Sequence, residues 1–421
     1  MKSSLSSLAL ALLACPAFAQ EAPADARMKE LERKVEILSR ELEAQKTGSA
    51  MPEAKETGTH GLAPAASKVY ESKGGLSIGG YGEMLYENFD SKLENGTYSP
   101  KANTVDFVRQ IVYVGFKFSD RIVFNSEIEF EHAKTATGSA GEVAVEFAYL
   151  DYLLNPAFNI RAGMMLVPLG FVNELHEPPA YLGAKRPAVE STIIPTTWRE
   201  NGVGVHGELP GRLSYRVYLM NGLDGSKFAA TGIRGARQNG SKALAESLAF
   251  TGRLDWNVLP GTTLGAGFYT GNSNQADLGE PIRTTLWELH GEYRARGFQF
   301  RGLFTRMTNS ESGLSPLAAA SPVKRLGTRQ FGGYLEGGYD VLSSLDSRQA
   351  LIPYLRWERL NSQQAVVSGI TADLANDQTL LTAGVAYKPI PQIAVKVDFT
   401  RNENHALTGR NQFNLALGYY F

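Results

Sequence analysis

The closing residues, Asn411 to Phe421, read NQFNLALGYYF. Phe413, Leu415, Leu417, Tyr419 and Phe421 are apolar at every second position, and Gln412, Asn414, Ala416, Gly418 and Tyr420 between them are mostly small or polar. A strand sends successive side chains to opposite faces, so this segment offers one face to lipid and the other to water. A strand of a soluble sandwich alternates in the same way, and the choice falls to the rest of the chain.

The opposite end favours export. Residues 1–19 have a cation at Lys2, an apolar stretch from Leu8 to Ala14 and the small-x-small site Ala17-Phe18-Ala19, the pattern of a cleaved signal peptide. That stretch is too short to span a bilayer, and no run of roughly 18 apolar residues occurs elsewhere. The single cysteine, Cys15, precedes the cleavage site, so the exported chain is expected to carry no thiol. The Leu13-Ala14-Cys15 triplet slightly resembles a lipoprotein site, but Ala-Phe-Ala fits better.

Composition narrows the class. Aromatic residues at 10% with only 20% charged suit lipid contact, while a mean hydropathy of -0.20 is too polar for a bundle of membrane helices. A barrel with a wet interior reconciles the two. The formal charge of -1 gives no reason to expect nucleic acid as a partner. In lipid an open sheet edge is not tolerated, so the sheet has to close. The terminal Phe421 on such a strand resembles the assembly signal of bacterial outer-membrane barrels.

From Leu76 the chain divides into alternating segments starting near Leu76, Thr104, Arg121, Glu142, Phe158, Glu200, Arg212, Leu244, Thr262, Ile282, Phe298, Arg329, Ala350, Thr379, Gln392 and Asn411. They predict an all-β, transmembrane, antiparallel up-and-down barrel of about sixteen strands over 76–421. Short turns such as Ser119-Asp120, Asn155-Pro156, Pro210-Gly211 and Pro260-Gly261 alternate with longer loops; the turn from Val341 to Arg348 is longer than its counterparts. An even count puts both barrel ends on the periplasmic side. Ahead of the barrel, Met28, Leu31, Val35, Leu38 and Leu42 repeat at three and four, the seam of a short helical coiled coil over 20–46. Residues 47–75, rich in Ala, Gly, Ser, Pro and Thr, read as a flexible linker. The helix is expected to trimerise in the periplasm, to tether to another envelope component, or to remain a solvated helix.

The longest loop is the third, Val167 to Arg199. If it folds inward it forms a constriction carrying Glu174, His176, Glu177, Lys185, Arg186, Glu190 and Arg199; otherwise it is a cap over the mouth. Alternation sends Arg109, Lys117, Arg161, Arg216, Arg253, Arg294, Arg301, Arg356 and Lys396 into the lumen. It sends thirteen acids there too: Glu83, Glu87, Glu127, Glu129, Glu131, Glu146, Glu208, Asp255, Glu288, Glu292, Glu336, Glu358 and Asp398. With more acids than bases, the wall is not anion-selective by count, and many of these charges should pair across strands. The fourth loop offers Lys227, Arg234, Arg237 and Lys242 against Asp224, and the sixth Lys324 and Arg325 against Glu311. Such groups attract anions at a mouth, bind lipopolysaccharide phosphates, or are simply solvated. The six histidines show no metal-site spacing, and neither a metal nor a cofactor is expected. Nothing orients a Ser247/His290 pair for catalysis, so no enzymatic activity is expected.

Three stretches around the third loop, Met165 to Phe171 (MLVPLGF), Asn173 to Pro179 (NELHEPP) and Ile193 to Gly204 (IIPTTWRENGVG), resemble the phosphate-selective porin O and P family of bacterial outer membranes. The resemblance is strongest over about 160–207. It implies a homotrimeric outer-membrane channel with anion or phosphate preference, surrounded by lipid and lipopolysaccharide and inserted by the barrel assembly machinery. A water-filled diffusion channel for small hydrophilic solutes is the function expected. A non-selective or cation-preferring porin, and an envelope-tethering barrel with little channel activity, stand as alternatives. If the third loop folds inward, neutralising Lys185 and Arg186 together reduces anion preference; unchanged reversal potentials in that double variant would refute the constriction assignment.

Overall fold

The computed structural model describes residues 24–47, 58–275, 279–321, 326–345 and 347–421, with side chains of the first helix over 28–40. The signal peptide with Cys15, and Lys324 and Arg325, lie outside the described residues. The chain divides into two compact units, residues 1–49 and 50–421. In the first, helix α1 (Ala24–Thr47) carries Met28, Leu31, Val35 and Leu38 each about 60% exposed, with Glu30–Lys34 and Glu36–Arg40 pairs one turn apart.

The second unit is a closed barrel of sixteen antiparallel strands, each paired with its chain neighbours. The first half comprises β1 (Gly75–Phe89), β2 (Thr104–Lys117), β3 (Ile122–Glu131), β4 (Val143–Asn155), β5 (Phe158–Leu166), β6 (Arg199–Leu209), β7 (Leu213–Asn221) and β8 (Leu248–Leu259). The second comprises β9 (Thr262–Asn272), β10 (Arg283–Ala295), β11 (Phe298–Asn309), β12 (Gly327–Tyr339), β13 (Ala350–Val366), β14 (Asp377–Ile390), β15 (Ile393–Asn404) and β16 (Gln412–Tyr420). Most starts fall within two residues of the alternation-based ones; β8 begins at Leu248 rather than Leu244 because the fourth loop runs on to Ser247.

Closure is made by β1 on β16, in register from Tyr81↔Tyr420 to Phe89↔Gln412. Phe421 extends the ladder, its N–H donating to Gly80 O at 2.9 Å while Gly80 N–H donates back at 3.1 Å, and its ring lies on the outer surface. Phe413, Leu415 and Leu417 face outward with it, whereas Asn414 and Ala416 are buried inside. The same division runs round the wall: Leu254, Trp256, Leu289, Phe300, Leu335 and Trp357 are exposed outside, and Glu127, Asp151, Glu288, Glu358 and Lys396 are buried inside. An apolar exterior over a polar interior is the inverse of a soluble fold, and it is what a strand wall facing lipid requires. Among the described residues no helix is long and apolar enough to cross a membrane; the strands do so.

Residues 58–72, the latter part of the stretch whose composition reads as a linker, pack against the inner wall. Leu62, Ala63, Ala65, Ala66 and Val69 are buried, and a short helix, α2 (Lys68–Glu71), lies on β1 and β2. Polar pins fix it: Asn125 Nδ2 donates to Ala66 O at 2.8 Å, Lys117 Nζ to Ser72 O at 2.9 Å and Lys68 Nζ to Ile78 O at 3.0 Å. Tyr70 donates to Asp151 at 2.6 Å. The small residues that make the segment look like a linker are what let it lie flat on strands.

Gly115 on β2 is the closest seat, since a Cβ there would stand 2.6 Å from Val69 Cβ. Gly115→Leu is therefore expected to lift α2 from the wall while the strands hold. Limited trypsinolysis should show new cleavage at Lys68, with the folded barrel band unchanged on unheated gels; an unchanged cleavage pattern would refute the packing.

Candidate pore site

The third long loop, residues 167–198, runs into the barrel and crosses it. Its apolar residues explain why: Val167, Leu169, Phe171, Val172, Val189, Ile193, Ile194 and Trp198 are all buried. They pack with Tyr218 and Met220 of β7, Tyr269 of β9, Leu286 of β10 and Leu303 and Met307 of β11, joined by Leu223, Phe228 and Ile233 of the fourth loop. Part of the interior is thus an apolar core, made by loops against inward strand residues. Burying such side chains yields roughly 1.5–3 kcal/mol each. Asn173 closes the base of the loop, donating to Val167 O at 2.6 Å and accepting from Trp198 N–H at 2.7 Å.

The polar half of the loop is held by wall charges. Lys396 Nζ donates to Pro178 O and Gly183 O at 2.6 and 2.9 Å, Lys388 to Pro179 O at 2.8 Å, and both Arg294 and Arg301 to Ala180 O at 3.2 Å. Arg356 reaches Lys185 O, and Arg253 donates to Gly170 O. Acids receive the loop's own donors: Ala184 N–H on Asp398 at 2.7 Å, Val189 N–H on Glu358 at 3.2 Å and Tyr181 OH on Glu83 at 2.9 Å. Wall charges also pair across strands, Arg161–Asp151 at 2.8 Å, Arg301–Glu292 at 2.6 Å and Arg356–Glu336 at 3.2 Å, while Arg356 meets Glu358 of its own strand at 2.8 Å. Arg216 bridges Asp255 and Glu174, the latter at 3.0 Å. Lys117 turns to α2 instead.

The seven loop residues singled out from the sequence fall into different settings. Glu174 is buried on Arg216, and His176 on Glu127 at 3.0 Å. Glu177 accepts from the Ala65 and Ala66 amides at 2.9 and 3.0 Å, tying the loop to the N-terminal segment. Glu190 accepts from Val172 N–H at 2.7 Å and Tyr334 OH at 2.6 Å. Arg199, at the start of β6, pairs with Glu146 at 3.1 Å. Lys185 pairs with Glu87 at 2.7 Å and remains 43% exposed, and Arg186 donates to His176 O. Burial pushes Glu190 above the usual carboxylate range and Glu177 up to about 8.

The mouth cations of the fourth loop divide as well. Arg237 donates to Thr196 O at 2.7 Å and Arg234 to Thr196 Oγ1 at 3.2 Å, clamping the third loop's end, while Lys227 pairs with Asp224 at 3.1 Å and Lys242 is exposed. Arg234 is also exposed. Arg109 bridges Glu129 at 3.2 Å and Glu83 at 3.4 Å.

At the short-turn end of the barrel lies a cavity of about 920 Å³, lined by His60, Glu174, His206, Arg216, Arg253 and Asp255 among others. His60 lies against Tyr70 with ring centroids 4.0 Å apart and the planes tilted by 38°, and burial beside Arg161 lowers it to about 4, so it is neutral at pH 7.

Sequence reading missed Asp151, Trp198 and Tyr334 as parts of the site. The apolar content of the third loop was a usable signal, because loops exposed to water do not carry Trp198, Ile193 and Ile194 so close together.

No family model matches the sequence. An uncharacterized protein of Aquifex aeolicus is 38% identical over 372 residues, covering 86% of this chain and 83% of that protein. Among solved structures, the outer membrane channel DcaP of Acinetobacter baumannii matches with a TM-score of 0.56 at 12% identity, over 82% of this chain and 97% of that one. Salmonella typhi OmpF matches at 0.56 and 14%, over 83% and 98%. The anion-selective porin of Comamonas acidovorans matches at 0.52 and 10%, over 83% and 100%. At these identities the likeness is one of fold: a sixteen-strand barrel of the porin type.

Glu190 offers a test of how the loop is held. Glu190→Ala leaves the Val172 amide and the Tyr334 hydroxyl buried without an acceptor, at about 1–3 kcal/mol each. The expected result is faster proteolysis at Arg186 and noisier single-channel current, with Glu190→Gln milder; a variant as quiet and resistant as the parent would refute the role.

Proposed function

The chain belongs to the same family as the Aquifex aeolicus protein, and we propose that it forms an outer-membrane diffusion channel for small hydrophilic solutes. One observation carries the reading. The interior is lined with ionised side chains of both signs and braced by an inward loop, with a cavity of about 920 Å³ left between. Holding so many charges inside is costly unless water shares the space, and a barrel serving only as a surface scaffold has no use for them. Export across the inner membrane by the signal peptide and assembly in the outer membrane through the terminal Phe421 belong to this proposal. So does a homotrimer, the form in which one structural neighbour, OmpT of Vibrio cholerae, is described.

Anion preference, phosphate included, is the finer reading, supported by the sequence resemblance and by Lys185 of the third loop, which stays 43% exposed. The wall contains more acids than bases, but many of the acids are engaged by arginines or by loop donors. A solute passing the third loop meets Lys185, the exposed cation of that loop.

The test is the reversal potential of the purified full chain in a planar bilayer under a KCl gradient, followed by titration of phosphate against the chloride current. Anion selectivity with block by phosphate is expected. Cation preference without block would reject the finer reading and leave a general porin, and absence of channels would reject the function.

A further inference from the structure

Beneath the third loop, Glu127 of β3, Glu146 of β4 and His176 bring one ligand atom each within 4.8 Å of one another, all three buried. His176 Nε2 lies 3.0 and 3.2 Å from the two oxygens of Glu127 and 3.9 Å from Glu146 Oε2. A four-coordinate ion with bonds of about 2.0–2.2 Å sets its ligand atoms roughly 3.3–3.6 Å apart, and these distances bracket that span.

Three further observations point to a ligand. First, His176 Nδ1 lies 2.9 Å from Asn173 O, a contact that requires the proton on Nδ1 and turns Nε2 to the carboxylates. With Nε2 turned to two carboxylates, the ring either carries a second proton or places a lone pair on a cation, and a backbone acceptor behind the ring is the usual partner of a metal-bound histidine. Second, Glu146 Oε2 is fully buried with no hydrogen-bond partner, although Glu146 Oε1 is held by Arg199 at 3.1 Å. Third, the β3–β4 ladder shifts register here, with Glu127 opposite Phe147 and Ile128 opposite Val145. Glu146 is the extra residue of that bulge, so it and Phe147 both point inward, and bulges re-aim side chains in this way beside functional sites.

We infer that Glu127, Glu146 and His176 form a binding site for one divalent transition-metal cation of the Zn²⁺ type, pinning the third loop to the wall of β3 and β4. The imidazole nitrogen selects against Ca²⁺ and Mg²⁺, which prefer all-oxygen ligands. Nothing in the sequence spacing of 127, 146 and 176 reveals the group, because its third member arrives only when the loop folds inward. The site is independent of the solute that the channel passes.

The site is sealed under the loop, so the test loads it during folding. The full chain is refolded in detergent with or without Zn²⁺, free metal is removed by gel filtration, and bound zinc is measured by elemental analysis. One Zn²⁺ per chain is expected, falling at least tenfold in Glu146→Gln and in His176→Gln and unchanged in Glu292→Gln, an acid remote from the site. Refolding the parent chain with Co²⁺ should give the visible absorption of a four-coordinate mixed nitrogen and oxygen site, a readout that needs no variant to fold. Parent protein without stoichiometric zinc, or variants that keep it, would overturn the inference and leave His176 as an imidazolium paired with Glu127.

Discussion

The structure depends on one constraint: in hydrocarbon no backbone N–H or C=O can be left without a partner. A single strand cannot meet that demand, and neither can an open sheet. The pairing of β1 with β16, continued by Phe421 on Gly80, removes the last edge and fixes everything else. With the wall closed, each strand has one face that must be apolar and one free to be charged. The outward Leu, Phe and Trp residues and the inward Glu, Asp and Arg residues are consequences of that division rather than separate features.

Closure creates a second problem, an interior too wide for sixteen strands to fill with side chains. The chain fills part of it with its own loops. The third loop packs apolar side chains against inward residues of β7 to β11 and hands its backbone groups to charges on β8, β10, β11, β13 and β15, so it straddles an apolar core and an ionic network. The N-terminal segment joins it through Glu177 on the Ala65 and Ala66 amides. Arg253, Arg294, Arg301 and Arg356 are consequently structural as well as electrostatic, donating to loop carbonyls while paired with acids. Counting charges on the wall therefore says little about selectivity. What matters is which of them still face the water-filled gap.

Much of the fold was legible because a two-residue period survives any tertiary detail: the strands, their number and the inward charges follow from alternation. What was not legible arises where alternation breaks or where packing is remote. The bulge at Glu146 shifts the phase of β4, so Asp151 turns inward although simple counting from Val143 puts it outside. Residues 58–72 look like a linker because composition cannot distinguish small residues that move from small residues that lie flat against a wall. The inward course of the third loop was weighed from its length, and its apolar residues explain it. Its partners on β13 and β15 lie roughly two hundred positions away and leave no local trace.

Those separations impose an order of events. The loop is made after five strands, yet Val189 waits for Glu358, Ala184 for Asp398, and Pro178 and Gly183 for Lys396. Until β15 is in place the loop's donors and carbonyls have nowhere to go. Contacts so distant in sequence are slow to form. Seating the loop and sealing the barrel are thus nearly the same step, and the interior acquires its final shape only when the wall has lost its last edge.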